Sequence, residues 1–120
     1  MSIKFFDSEL KVMNVLWREG DRTAKEIAGT LAETVGWNVN TTYTVIKKCI
    51  QKGGIERREP NFLCHALVPK AEVEMAETEE LIEKIFDGSR DRLFAALLGS
   101  KKLSADEIAR LKALVSDLEK

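Results

Sequence analysis

The chain has 120 residues, of which 44% are hydrophobic and 32% charged, which suits one domain, or a small domain with an appendage, and excludes a disordered chain. No apolar run of about 18 residues occurs, so no membrane-spanning helix is expected. The start "MSIKFFDSEL" has no apolar signal-peptide core, so a cytoplasmic location is expected. The net charge of -1 hides an asymmetry: residues 1–70 carry 11 basic and 8 acidic side chains, and residues 71–120 carry 8 and 12. Such a division suits a basic working module joined to an acidic one.

The first helix is expected over Asp7–Glu19, with Asp7 as N-cap, Leu10, Met13, Leu16 and Trp17 at helical spacing, and Gly20 as the stop. The second is expected over Thr23–Val35, opened by the capping box "TAKE" and carrying an Ile27, Leu31, Val35 stripe. The third begins after Asn38 and runs to about Lys52, before Gly53-Gly54. Two short strands, Ile55–Arg58 and Leu63–Val68, flank the turn "EPNF". Either Ile3–Phe6 or the loop before the second helix is expected to add a little extended structure beside them.

From Lys70 onward the pattern is helical. A first segment carries Val73, Leu81, Ile82, Ile85 and Phe86 and breaks at Asp87–Ser89. Ser89 caps a helix through Leu98, and Gly99 ends it. A second capping box, Ser104 with Glu107, starts the last helix, with Ile108, Leu111, Leu114, Val115 and Leu118 along it. The expected boundary is Pro69, giving modules of residues 1–69 and 70–120.

Three capped helices followed by a β-hairpin describe a mainly α fold, a winged helix-turn-helix DNA-binding domain, here followed by a helical region. In such domains the third helix lies in the major groove, and its first residues meet base edges. Val45, Ile46, Cys49 and Ile50 form an inward stripe, while Asn40, Tyr43, Thr44, Lys47, Lys48 and Gln51 fall on the other side. Thr41 is either a reader or an ordinary first-turn residue, and the lysines are either phosphate contacts or a solvated face. Arg57 and Arg58 are adjacent on a strand and point to opposite sides. One is expected to face DNA and the other to pair with an acid. Leu93, Phe94, Leu97, Leu98, Ile108, Leu111, Val115 and Leu118 follow an already complete domain, so they are candidates for a homodimer interface.

Other chemistry finds no support in the residues. Cys49 and Cys64 form no CxxC, and His65 is the one histidine, so neither a zinc site nor any other cofactor is expected. Both cysteines read as free thiols, with oxidation of Cys49 within the recognition helix as a minor alternative. No nucleophile–base set or phosphate loop points to an enzyme. A winged-helix protein-interaction module is the competing reading, favoured by the acidic overall balance.

The motifs resemble the penicillinase repressor family, which includes β-lactamase, methicillin-resistance and copper-responsive repressors. Glu9, Val12, Met13 and Trp17 match its opening pattern; "TAKEI", Trp37 with Thr41 and Thr44, "QKGGI", "DGS" and "LSADEIARLKALV" match later blocks in order. The resemblance implies a homodimeric repressor of a palindromic double-stranded operator, with Thr41 and Thr44 contacting DNA and Thr23 and Lys25 near phosphates. Asn40 stands where the family often has Lys, and Tyr43 where it often has Arg or Gln. A membrane sensor or protease is the implied upstream partner of the β-lactam-responsive members, which are cut at an Asn-Phe bond. Here those positions read Ala96-Leu97. No cysteine follows Cys64, so the copper-responsive members' C-terminal cysteine cluster has no counterpart.

Overall fold

The computed structural model describes residues 3–120. The elements run α1 (Asp7–Glu19), β1 (Arg22–Thr23), α2 (Ala24–Thr34), α3 (Val39–Gln51), β2 (Ile55–Arg58), β3 (Leu63–Ala66), α4 (Lys70–Ile85), α5 (Arg90–Gly99) and α6 (Ala105–Leu118). The three strands form one antiparallel sheet in the order β1-β3-β2. This is a winged helix-turn-helix followed by helices. The extra extended segment is the loop before α2, and Ile3–Phe6 adds no strand.

Local sequence sets the helix ends. Asp7 is the first residue of α1 rather than its cap; Phe6 occupies the cap, and Glu9 Oε1 accepts the Phe6 N–H at 2.7 Å. At α2 both halves of the expected box form: Glu26 N–H donates to Thr23 Oγ1 at 3.1 Å, and Thr23 N–H donates to Glu26 Oε1 at 2.9 Å. Val35 is the C-cap of α2 and 40% exposed, so it leaves the apolar stripe it was expected to complete. Ser104 and Glu107 form the same reciprocal pair at α6.

Two glycines after α3 have separate tasks. Gly53 turns the chain with φ +84°, a region that disfavours other residues. Gly54 lets the Phe5 ring approach, since a Cβ there would lie 2.6 Å from Phe5 Cζ. The core gathers Phe5, Val12, Met13 and Leu16 with Ala24, Ile27 and Leu31, and with Val45, Ile46 and Cys49 from α3. Ile55, Cys64 and Val73 close it from the wing and α4. Trp17 meets Phe5 edge-on at 6.4 Å and donates its indole N–H to Val68 O at 2.8 Å, tying α1 to the segment after the wing.

The chain divides into two compact units after Glu77, inside α4. Val73, on the first unit's part of α4, is 5% exposed and belongs to the winged-helix core. In the second unit α5 and α6 bury no residue. Among the described residues no helix is long and apolar enough to cross a membrane.

Candidate nucleic-acid interface

Asn38 starts α3 by accepting the Thr41 N–H on its side-chain oxygen at 2.8 Å. Its short amide therefore has a capping task. Thr42, Val45, Ile46 and Cys49 face the core, and Ile50 is half-buried. Asn40, Thr41, Thr44, Lys47, Lys48 and Gln51 are exposed together, with Tyr43 half-buried beside them. Thr42, next to the exposed Thr41, has a fully buried side chain. The Thr44 hydroxyl donates to Asn40 O at 2.9 Å, which leaves its oxygen lone pairs to accept.

The charge on this face has one sign. α3 contains no Asp or Glu, whereas every other helix contains at least one. No described carboxylate forms a direct ion pair with Lys25, Lys47 or Lys48, although the Lys48 charge is felt at Glu9. The positive end of the helix dipole adds to the lysines and favours an anionic partner. At the start of α2, Thr23 is committed to capping and Lys25 is exposed. Glu26 adds a negative charge there; the Thr23 N–H and hydroxyl hold its carboxyl below the usual range.

The wing differs from the simplest expectation. Register pairs Glu56 with His65 and Arg57 with Cys64, so Arg57 shares the face of the buried Cys64, and Arg58 shares the face of Glu56 and His65. Both arginines have acidic partners. Arg57 Nε lies 2.6 Å from Glu59 Oε2, and Arg58 Nε lies 2.5 Å from Glu56 Oε1. The Arg57 guanidinium, which is hydrogen-bonded to Glu59, holds that carboxyl below the usual range. His65 Nδ1 sits 2.8 Å from Asp21 Oδ1, a link from β3 to the turn before β1.

Phe62 carries no signal in the sequence, yet it joins these parts. Its ring meets Tyr43 edge-on at 5.8 Å, the Arg57 guanidinium stacks 3.7 Å from its centre, and its carbonyl accepts the Ala24 N–H at 2.9 Å. The wing is thus joined to α3 and to the start of α2.

The second unit presents apolar surface. Phe94, Leu97, Leu98, Ile108, Val115 and Leu118 are 40% to 86% exposed, while Leu93 and Leu111 are half-buried. A groove of about 330 Å³ between α5 and α6 is lined by Phe94, Leu97, Leu98, Leu111 and also by Leu103 and Leu114. Leu103 lies between helices, outside any periodic stripe, which is why a helical pattern misses it. The Ala96-Leu97 bond lies inside α5.

The Penicillinase repressor family model matches residues 6–117, nearly the whole chain. The chain belongs to the penicillinase repressor family. Among relatives of this family member, the methicillin resistance regulatory protein MecI of Staphylococcus aureus (strain N315) is 26% identical over 111 residues, spanning 91% of this chain and 90% of MecI. The penicillinase repressor of Bacillus licheniformis is 21% identical over 113 residues, spanning 92% and 88%. The fold of the winged-helix part is shared with the solved Bacillus licheniformis BlaI monomeric form in complex with the blaP half-operator. That comparison has TM-score 0.52 and 24% identity, and covers 59% of this chain and 90% of that one.

Proposed function

We propose that this member of the penicillinase repressor family is a homodimeric transcriptional repressor that binds a palindromic operator through α3 and the wing. The observation that carries the reading is the exposed face of α3, where Asn40, Thr41, Tyr43 and Thr44 stand ahead of Lys47 and Lys48 with no carboxylate on the helix. Short polar side chains near the helix start read base edges, and the lysines neutralise flanking phosphates. The names of the relatives support it: one is a resistance regulator, another a repressor, and the structural neighbour was solved on a half-operator. Lys25 adds a phosphate contact from the first turn of α2, while Thr23 spends its N–H and hydroxyl on Glu26. Arg57 and Arg58 reach phosphate only in competition with Glu59 and Glu56.

The second unit supports self-association. α5 and α6 leave large apolar side chains in water, the usual mark of an interaction surface. A second copy of the same face covers both and sets two reading helices against two half-sites. The test is an anisotropy titration of the full chain against its own promoter fragment and against random DNA, at protein concentrations that keep the dimer. Sequence-preferring, salt-sensitive binding is expected; equal affinity for both DNAs overturns the reading.

A further inference from the structure

We propose that Phe62 is a positioning residue for operator recognition, holding the Tyr43 ring and the Arg57 side chain in the pose that meets DNA. The inference rests on the operator-binding reading and adds to it a residue that touches no base. Phe62 is the common neighbour of two elements with proposed contacts. Its ring takes the Tyr43 ring edge-on, at an interplanar angle of 84°, and carries the Arg57 guanidinium on its face. Aromatic and cation–π pairs of this geometry fix orientation as well as adding affinity.

The backbone shows that the position is held against its own preference. Asn61 and Phe62 have φ of +69° and +53°, the left-handed region, which is uncommon for a bulky residue such as Phe. The Phe62 carbonyl accepting the Ala24 N–H anchors that conformation to the first residue of α2. Tyr43 gains the most from this. It is half-buried on an otherwise exposed face, so its ring has a fixed seat while its neighbours Thr44 and Lys47 stand in solvent. Arg57 is doubly engaged, by the Phe62 ring and by Glu59; its guanidinium is held beside Tyr43 and reaches phosphate from that place only in competition with Glu59.

The first arm of the test needs no DNA. Tyr43 is the sole tyrosine, so selective labelling of tyrosine gives one set of ring resonances. In the full-length protein, Phe62→Leu is expected to move those resonances, and Phe62→Tyr to leave them near their original positions. Unmoved resonances in Phe62→Leu overturn the proposal whatever the DNA result. The second arm measures affinity for operator and random DNA. Phe62→Leu is expected to reduce their ratio roughly tenfold with no change in the slope of affinity against salt, and Phe62→Tyr to restore it. In a Tyr43→Ala background, Phe62→Leu is expected to change the ratio little. An unchanged ratio, or equal loss on both DNAs, assigns Phe62 to the fold alone and overturns the proposal. If the unaltered protein shows no operator preference while Phe62→Leu still moves the Tyr43 resonances, the operator reading fails and takes this inference with it.

Discussion

Lys52 and Glu9 form an ion pair that fastens the end of α3 to the first turn of α1, with Nζ 2.6 Å from Oε1. Glu9 is 1% exposed and Lys52 also donates to Lys4 O at 2.7 Å. Breaking such a pair leaves a buried charge without a partner. Lys52→Ala is expected to destabilise the folded chain by about 3 kcal/mol, read from urea unfolding. The double change Glu9→Gln with Lys52→Met is expected to lose less than Lys52→Ala. A larger loss in the double variant contradicts this account.

The same pair sets an acid limit. Burial works to raise the Glu9 carboxyl, but the Lys52 ammonium and the Phe6 N–H outweigh it and hold it below its ordinary 4.5. A carboxylate lowered by folding stabilises above its unfolded value, and that contribution is lost as pH falls through the folded value. The Glu9 contribution to unfolding free energy, read as the difference between the native chain and Glu9→Gln, is therefore expected to be constant down to about pH 5 and to fall below about 4.5. The loss of stability in acid is accordingly expected to be shallower in Glu9→Gln than in the native chain.

On α3 the two kinds of side chain separate experimentally. Thr44→Ala is expected to narrow the gap between operator and random DNA roughly tenfold, within the range of one base contact. Lys48→Ala is expected to weaken both DNAs alike and to reduce the salt slope by about 1. Equal weakening of both DNAs by Thr44→Ala removes Thr44 from the set of base readers.

The thiols are expected to be silent. Burial first, and then the neighbouring Glu9 charge, push Cys49 up to about 12; burial pushes Cys64 up to about 11 against the pull of Arg57. Almost no thiolate exists at pH 8, and both side chains are fully buried. Ellman's reagent is expected to react with neither thiol in the native protein and with both in guanidinium. Mild peroxide is expected to leave DNA affinity unchanged, which sets aside a redox switch at Cys49.

In the second unit, Leu97→Glu and Val115→Glu each place a charge on an apolar side chain that is half or more exposed. Both are expected to shift sedimentation equilibrium from dimer toward monomer while leaving the winged helix folded. Unchanged self-association in both variants excludes this face from the interface.

Helices α2, α3 and α6 were legible because they carry their own boundary signals: Thr23 with Glu26, Asn38, and Ser104 with Glu107 act within four residues of themselves. The exposed face of α3 was legible for the same reason, since period alone separates Lys47 and Lys48 from Val45, Ile46 and Cys49. What could not be read depends on distant partners. Glu9 sits in a motif, yet only the fold brings Lys52 to it across 43 positions. Phe62 looked like a turn residue because nothing local announces Tyr43 and Arg57 on either side of its ring. Arg57 and Arg58 suggested one phosphate contact and one ion pair, whereas the hairpin geometry gives each an acid.

Under the proposed operator binding, that last arrangement makes the hairpin a dormant cationic arm. With Glu59 and Glu56 serving as built-in counterions, laying it against a duplex releases few condensed cations. A single neutralisation such as Glu59→Gln would unmask a guanidinium without moving the backbone, trading selectivity for grip on any sequence. Retuning this regulator between a choosy and a greedy form would then need one carboxylate and no rebuilding of the reading helix.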